Sequence, residues 1–106
     1  MSKYHNCKVT TSDGIVHDSK REASRWVELK LLERVGDITD LDRQVKFELI
    51  PKQEGERAVY YVADFVYTDL RTGKKVVEDT KGVRTKDYII KRKLMLYVHN
   101  LKIKEI

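Results

Sequence analysis

A single cysteine, Cys7, leaves this chain of 106 residues no internal disulfide, which excludes a disulfide-stapled secreted scaffold and fits a reducing compartment. Proline is equally scarce. Pro51 stands alone, the five glycines are scattered, and no Pro/Gly-rich linker or repeat divides the sequence, so residues 1–106 read as one continuous domain. No stretch approaches the roughly 18 consecutive apolar residues of a membrane span. The opening Met-Ser-Lys-Tyr-His-Asn-Cys also lacks the apolar centre of a secretory signal. The expectation is a cytoplasmic protein with no membrane partner. Cys7, His5 and His17 lack the second cysteine pair of a zinc module, so zinc is not expected. What is present is ample for a core: 41% of residues are hydrophobic, while 37% are charged and the mean hydropathy is −0.57.

The charge is uneven. Lys and Arg number 22 against 17 Asp and Glu, giving +5. Residues 1–80 hold 14 basic and 15 acidic side chains, whereas residues 81–106 hold 8 and 2. The basic quarter matches the electrostatic footprint of a phosphate backbone, with Lys86, Lys91, Arg92 and Lys93 as candidate DNA contacts; a solvated face on an ordinary basic protein is the alternative.

Local patterns set an order of elements. Ser12-Asp13-Gly14 between Cys7–Thr10 and Ile15–His17 predicts a small N-terminal β-hairpin. Ser19 as N-cap, Glu22 three residues on and Gly36 as the stop predict a helix from Ser19 to Val35. Its apolar residues spread around most of the circumference, which suggests contact on more than one side and, with it, a homodimer. Gln44 to Ile50 alternates as a one-sided strand that Pro51 ends, and Ala58 to Thr68 is rich in strand-forming Val, Tyr and Phe. Thr72-Gly73 turns the chain into a strand from Lys75 to Lys81. Thr85 caps a helix from about Lys86 to Val98, with Ile90, Leu94, Tyr97 and Val98 as its expected packed face and Tyr88, Arg92 and Met95 opposite. Leu101 to Ile106 closes the fold as a strand reached by a parallel crossover. The predicted class is α/β, an αβββαβ core with a mixed four-stranded sheet flanked by helices.

Three acids stand out. Asp64 interrupts the apolar run Tyr60–Val66, expected on one face with Val62 and Val66, where an unpaired carboxylate is costly. Alternation puts Asp79 and Lys81 on one face of the next strand and Glu78 on the other. If the two strands pair around Thr72-Gly73, Asp64 and Asp79 reach similar heights, near enough to share one divalent cation, and two carboxylates with open water positions suit Mg²⁺. Glu22 leans toward the packed side of its helix. Each has a plainer reading: a capping box for Ser19 and Glu22, a strand-end salt bridge for Asp64, and a cross-strand ion pair for Asp79 and Lys81.

The segments Ser19-Lys20-Arg21-Glu22-Ala23, Gln44-Val45-Lys46-Phe47-Glu48-Leu49, Tyr61-Val62-Ala63-Asp64-Phe65-Val66 and Val77-Glu78-Asp79-Thr80-Lys81-Gly82 together resemble the PD-(D/E)XK nuclease superfamily. They are most similar to small phage-encoded members long labelled as of unknown function. The resemblance implies a restriction-endonuclease-like fold, with Asp64 and Asp79 as metal-binding acids, Glu22 as a helix-borne acid that can join them, and Lys81 as the catalytic lysine. Ala63 stands where the motif has proline, and the pair Glu78-Asp79 leaves the second acid open, with Asp79 preferred because it lies two residues before Lys81. The implied activity is Mg²⁺-dependent DNA endonuclease chemistry, with Mn²⁺ as a substitute, in the host cytoplasm for a phage protein. A chain with no separate DNA-reading module favours DNA structure, such as a four-way junction, over a long sequence. The alternative is a non-catalytic nucleic-acid-binding protein of phage replication or recombination.

Overall fold

The computed structural model describes residues 8–80 and 83–106. Cys7, His5, Lys81 and Gly82 lie outside them. The elements run β1 (Val9–Thr10), β2 (Val16–His17), α1 (Lys20–Arg34), β3 (Ile38–Ile50), β4 (Val59–Asp69), β5 (Lys74–Asp79), α2 (Lys86–His99) and β6 (Lys104–Glu105). The first two strands form an antiparallel hairpin; the other four form a mixed sheet in the order β3-β4-β5-β6, antiparallel until the parallel pairing of β5 with β6. This is the predicted α/β order.

Caps explain the helix limits. Ser19 Oγ accepts the Glu22 N–H and Thr85 Oγ1 accepts the Tyr88 N–H, each at 3.1 Å, satisfying donors that a helix N-terminus leaves unpaired. Gly36, at φ +88°, takes the left-handed turn after α1, and Asn100 does the same after α2 at φ +57°.

The two helices cover opposite faces. On β5, Val77 joins the cluster of Leu49, Tyr61, Ala63, Val66, Tyr88, Met95 and Ile103 beneath α2. Its neighbour Val76 packs with Trp26, Leu29, Ile38, Phe65 and Tyr67 beneath α1. Consecutive residues of one strand thus feed two cores, as a doubly covered sheet requires.

Three expectations change. β3 begins at Ile38, not Gln44: the strand continues through a register shift between Thr39 and Asp42, and Asp40 and Gln44 adopt positive φ within it. Second, Val62, Asp64 and Val66 do not all share one face. Tyr61, Ala63 and Val66 pack beneath α2 while Phe65 and Tyr67 pack beneath α1, so the parity of β4 changes at Asp64. Ala63 pairs with Val45 and Phe65 with Arg43, which leaves Asp64 across from the positive-φ Gln44.

Third, the packed face of α2 is the one expected to be free. Tyr88 and Met95 are buried, whereas Ile90, Tyr97 and Val98 are exposed, Tyr97 at 87%; of the predicted face only Leu94 packs against the core. The reason is that Tyr88 and Arg92 both reach Glu105, and these polar contacts turn the helix by pinning its first half to the closing strand. Met95→Ala is therefore expected to cost about 2–4 kcal/mol in a denaturant titration, whereas Tyr97→Ala should stay within about 0.5 kcal/mol of the parent. The reverse ranking would put the helix back in the orientation its periodicity suggests.

Candidate functional site

β4 and β5 pair from Asp69↔Lys74 to Phe65↔Glu78, so the next step along the ladder brings Asp64 beside Asp79. There a side chain replaces the backbone rung. Asp64 Oδ2 accepts from both the N–H and the Oγ1–H of Thr80, each at 2.8 Å. Asp79 is only 2% exposed, and its Oδ2 accepts from the Tyr61 hydroxyl at 2.6 Å. Burial, and then this bond to Asp79, push the Tyr61 phenol far above its usual range, so the hydroxyl remains a donor.

Glu22 arrives from the other layer. Its backbone N–H completes the cap with Ser19, but its carboxylate points into the protein, and Oε2 is buried without a hydrogen-bond partner. The nearest basic side chains approach it without a hydrogen bond: His17 Nδ1 at 3.5 Å and Arg43 Nη2 at 3.8 Å. Burial first, then the negative charges of Asp64 and Asp18, push Glu22 up to about 7; Asp79 adds to the rise and Arg43 opposes it. All three predicted acids therefore lie within one another's electrostatic reach.

The arrangement includes two residues that the sequence did not place at this site. His17 is wholly buried at the end of β2, with its pKa pushed down by burial and by the Arg43 charge, and its Nε2 lies 3.3 Å from Thr11 Oγ1. Arg43 extends from β3 and donates to the carbonyl of Val16 at 3.4 Å. The hairpin is thus no bystander, since it forms the wall behind Glu22. The one available signal was a histidine two residues before the cap of the helix that bears the acid.

Glu78 has a different role from its neighbour. Arg25 Nε and Nη2 grip its carboxylate at 2.8 and 2.6 Å, and Tyr67 donates a further hydrogen bond beneath α1. That pairing consumes its oxygens. Lys86 and Lys93 are exposed and Lys91 is half-buried, while Arg92 is held by Glu105 at 3.1 Å on the packed side. The predicted Lys81 lies outside the described residues.

Among the described residues, no three His, Cys, Asp or Glu side chains converge into a ready-made metal cage. The donor chemistry nonetheless fits a hard cation. Carboxylate oxygens on a strand pair and a helix, one of them orphaned and all mutually repelling, are the kind of group that Mg²⁺ or Mn²⁺ draws together.

The raised pKa of Glu22 has a definite sign. A carboxyl that ionises at about 7 when folded and near 4.5 when unfolded makes the folded state the stronger proton binder in that window, so its contribution falls as pH rises from about 4.5 to about 7. In EDTA, Glu22→Gln should gain stability over the parent across that range, reaching on the order of 2–3 kcal/mol above pH 7. Parallel stability curves for the two proteins would show that Glu22 is not under this strain.

No curated protein and no solved structure matches the chain. Over residues 1–105 it matches the family described as "Protein of unknown function (DUF1064)", and the chain belongs to that family.

Proposed function

We propose that the protein is a Mg²⁺-dependent endodeoxyribonuclease that hydrolyses phosphodiester bonds in branched DNA. The observation that carries this reading is the meeting of Asp64 and Asp79 at the parting ends of β4 and β5, with the buried Glu22 Oε2, which makes no hydrogen bond, within reach of their charge. Carboxylates gathered in this way are hard oxygen donors of the kind that a divalent cation favours.

The roles divide by position. Asp64 and Asp79 would hold the cation, with Glu22 as the third oxygen donor. A cation there supplies Lewis-acid polarisation of the phosphate and a more acidic water. Thr80 fixes Asp64, and the Tyr61 hydroxyl fixes Asp79, so each acid is oriented before substrate arrives. Lys81, two residues beyond Asp79, would stabilise charge that develops on the phosphate. Lys86, Lys91 and Lys93 on α2 supply phosphate contacts, and Arg92 can join them only by sharing its link to Glu105. On α1 the side chains of Val27, Leu31 and Val35 are each more than half exposed at four-residue spacing, a stripe suited to a second copy of the chain; paired cuts in a four-way junction need two sites.

A non-catalytic nucleic-acid-binding protein is the second reading. It draws support from the absence of a preformed three-ligand cage among the described residues.

Cleavage of linear, nicked, flapped and four-way-junction DNA with and without Mg²⁺ or Mn²⁺ separates the two. Asp64→Ala and Asp79→Asn are each expected to abolish metal-dependent cutting while the protein stays folded. Glu78→Gln should instead retain activity per folded molecule and lose stability, on the order of 3–5 kcal/mol, because it leaves Arg25 with a neutral partner. Near-parental cutting by either aspartate variant would reject the site. Lys81→Ala should leave DNA affinity in Ca²⁺ almost unchanged while its single-turnover rate in Mg²⁺ collapses. An equal loss of affinity and rate would make Lys81 one more phosphate contact and favour the binding-protein reading.

A further inference from the structure

A shallow cleft of about 270 Å³ opens between β4 and the first turns of α2, on the flank of the acid cluster. One wall is Tyr60, Tyr61 and Val62; Thr85, Asp87, Tyr88 and Lys91 make the other. Two of these residues break the usual economy of a strand. Tyr60 and Val62 are each 41% exposed, so an aromatic ring and a branched aliphatic face water side by side, two to four residues from Asp64. Lys46 on the neighbouring strand brings its ammonium to 5.3 Å from the centre of the Tyr60 ring.

Resting on the nuclease reading, we propose that this cleft seats one unpaired nucleotide of the strand that enters the site. Each feature matches a part of such a ligand. A ring has two faces, and the one that Lys46 leaves uncovered can stack a base, with Val62 extending the apolar floor. Lys91 and Lys46 offer cations to the phosphates on either side. Asp87 supplies an acceptor for the amino groups of a base and makes the cleft a poor site for a bare anion. At about 270 Å³ it has room for one base and its sugar, and a duplex, whose bases are stacked inside, cannot present a free face to the ring.

Continuity with the acids gives the seat a consequence. Tyr61 forms part of the cleft and also holds Asp79 through its hydroxyl, so a nucleotide lodged beside Tyr60 delivers its neighbouring phosphate toward Asp64 and Asp79. Selectivity for branched DNA then follows from local fraying: strands near a junction or flap release a base, and uninterrupted duplex does not.

Binding can be read apart from cleavage. The probe is a short single-stranded DNA carrying 2-aminopurine, titrated with the parent protein in Ca²⁺, where stacking on an aromatic ring quenches its fluorescence. The parent should quench the probe, and Tyr60→Phe should match it. Tyr60→Leu should lose the quench and bind roughly tenfold more weakly, the scale of one base-stacking contact. Tyr60 is 41% exposed and outside both core clusters, so circular dichroism should show both variants folded at the temperature of the titration. Lys91→Gln should weaken binding but keep the quench. The proposal falls if Tyr60→Leu quenches like the parent, or if a blunt duplex competes as well as the single strand. It also falls if the parent cuts branched DNA without quenching, which would leave the nuclease reading standing. Quenching without any metal-dependent cutting would keep the nucleotide seat and remove the nuclease.

Discussion

Most of this architecture depends on neutralising one carboxylate that is wholly out of water. Glu78 lies at the centre of the mixed sheet, and a lone charge there would be intolerable. Arg25 answers it with a two-pronged grip and Tyr67 adds a hydroxyl, so α1 is anchored to β5 by a contact with a fixed direction. Apolar packing alone would allow the helix to slide. With Arg25 fixed, Glu22, almost one turn earlier on the same helix, has little choice of where its own carboxylate points. The ion pair therefore sets the position of the helix-borne acid as well as the stability of the layer.

The site itself shows the opposite design. Two of its acids are oriented by hydroxyl groups, Asp64 by Thr80 and Asp79 by Tyr61. Glu22 Oε2 makes no hydrogen bond, and burial, then the charges of Asp64 and Asp18, raise its proton affinity while Arg43 at 3.8 Å opposes the rise. Adjacent residues on one strand thus illustrate two uses of a buried carboxylate. Glu78 is gripped by Arg25 and Tyr67, while Asp79, held by Tyr61, lies within electrostatic reach of Glu22 and Asp64.

The alternation of β5 was readable directly from the residues, because period 2 alone sends Glu78 and Asp79 to opposite faces. Ser19, Gly36, Thr85 and the Thr72-Gly73 turn marked their elements just as directly, since caps and turns depend on local chemistry. Two things were not legible. The orientation of α2 turned on Glu105, a residue far along the chain whose bonds to Arg84, Tyr88 and Arg92 outweigh the apolar stripe of Ile90, Tyr97 and Val98. The change of face at Asp64 lies opposite the positive-φ Gln44 on a different strand, and no periodicity within Tyr60–Val66 encodes it. The place of His17 and Arg43 beside Glu22 was hidden for a similar reason: His17 was weighed only for zinc, neither belongs to a spaced motif, and only the docking of the hairpin brings them to Glu22.

Trp26 occupies a telling place in this arrangement. It is the chain's one tryptophan, and its indole N–H donates to Asp13 in the hairpin loop at 2.6 Å. Its ring stacks on Phe65 at 5.9 Å and lies 6.1 Å from His17. The protein thus carries a built-in optical gauge at the junction of hairpin, helix and sheet. Undocking of the hairpin would break the indole hydrogen bond and admit water, shifting the emission to the red. Events behind Glu22 can then be followed by light in the unmodified chain, with no label to disturb the crowded charges.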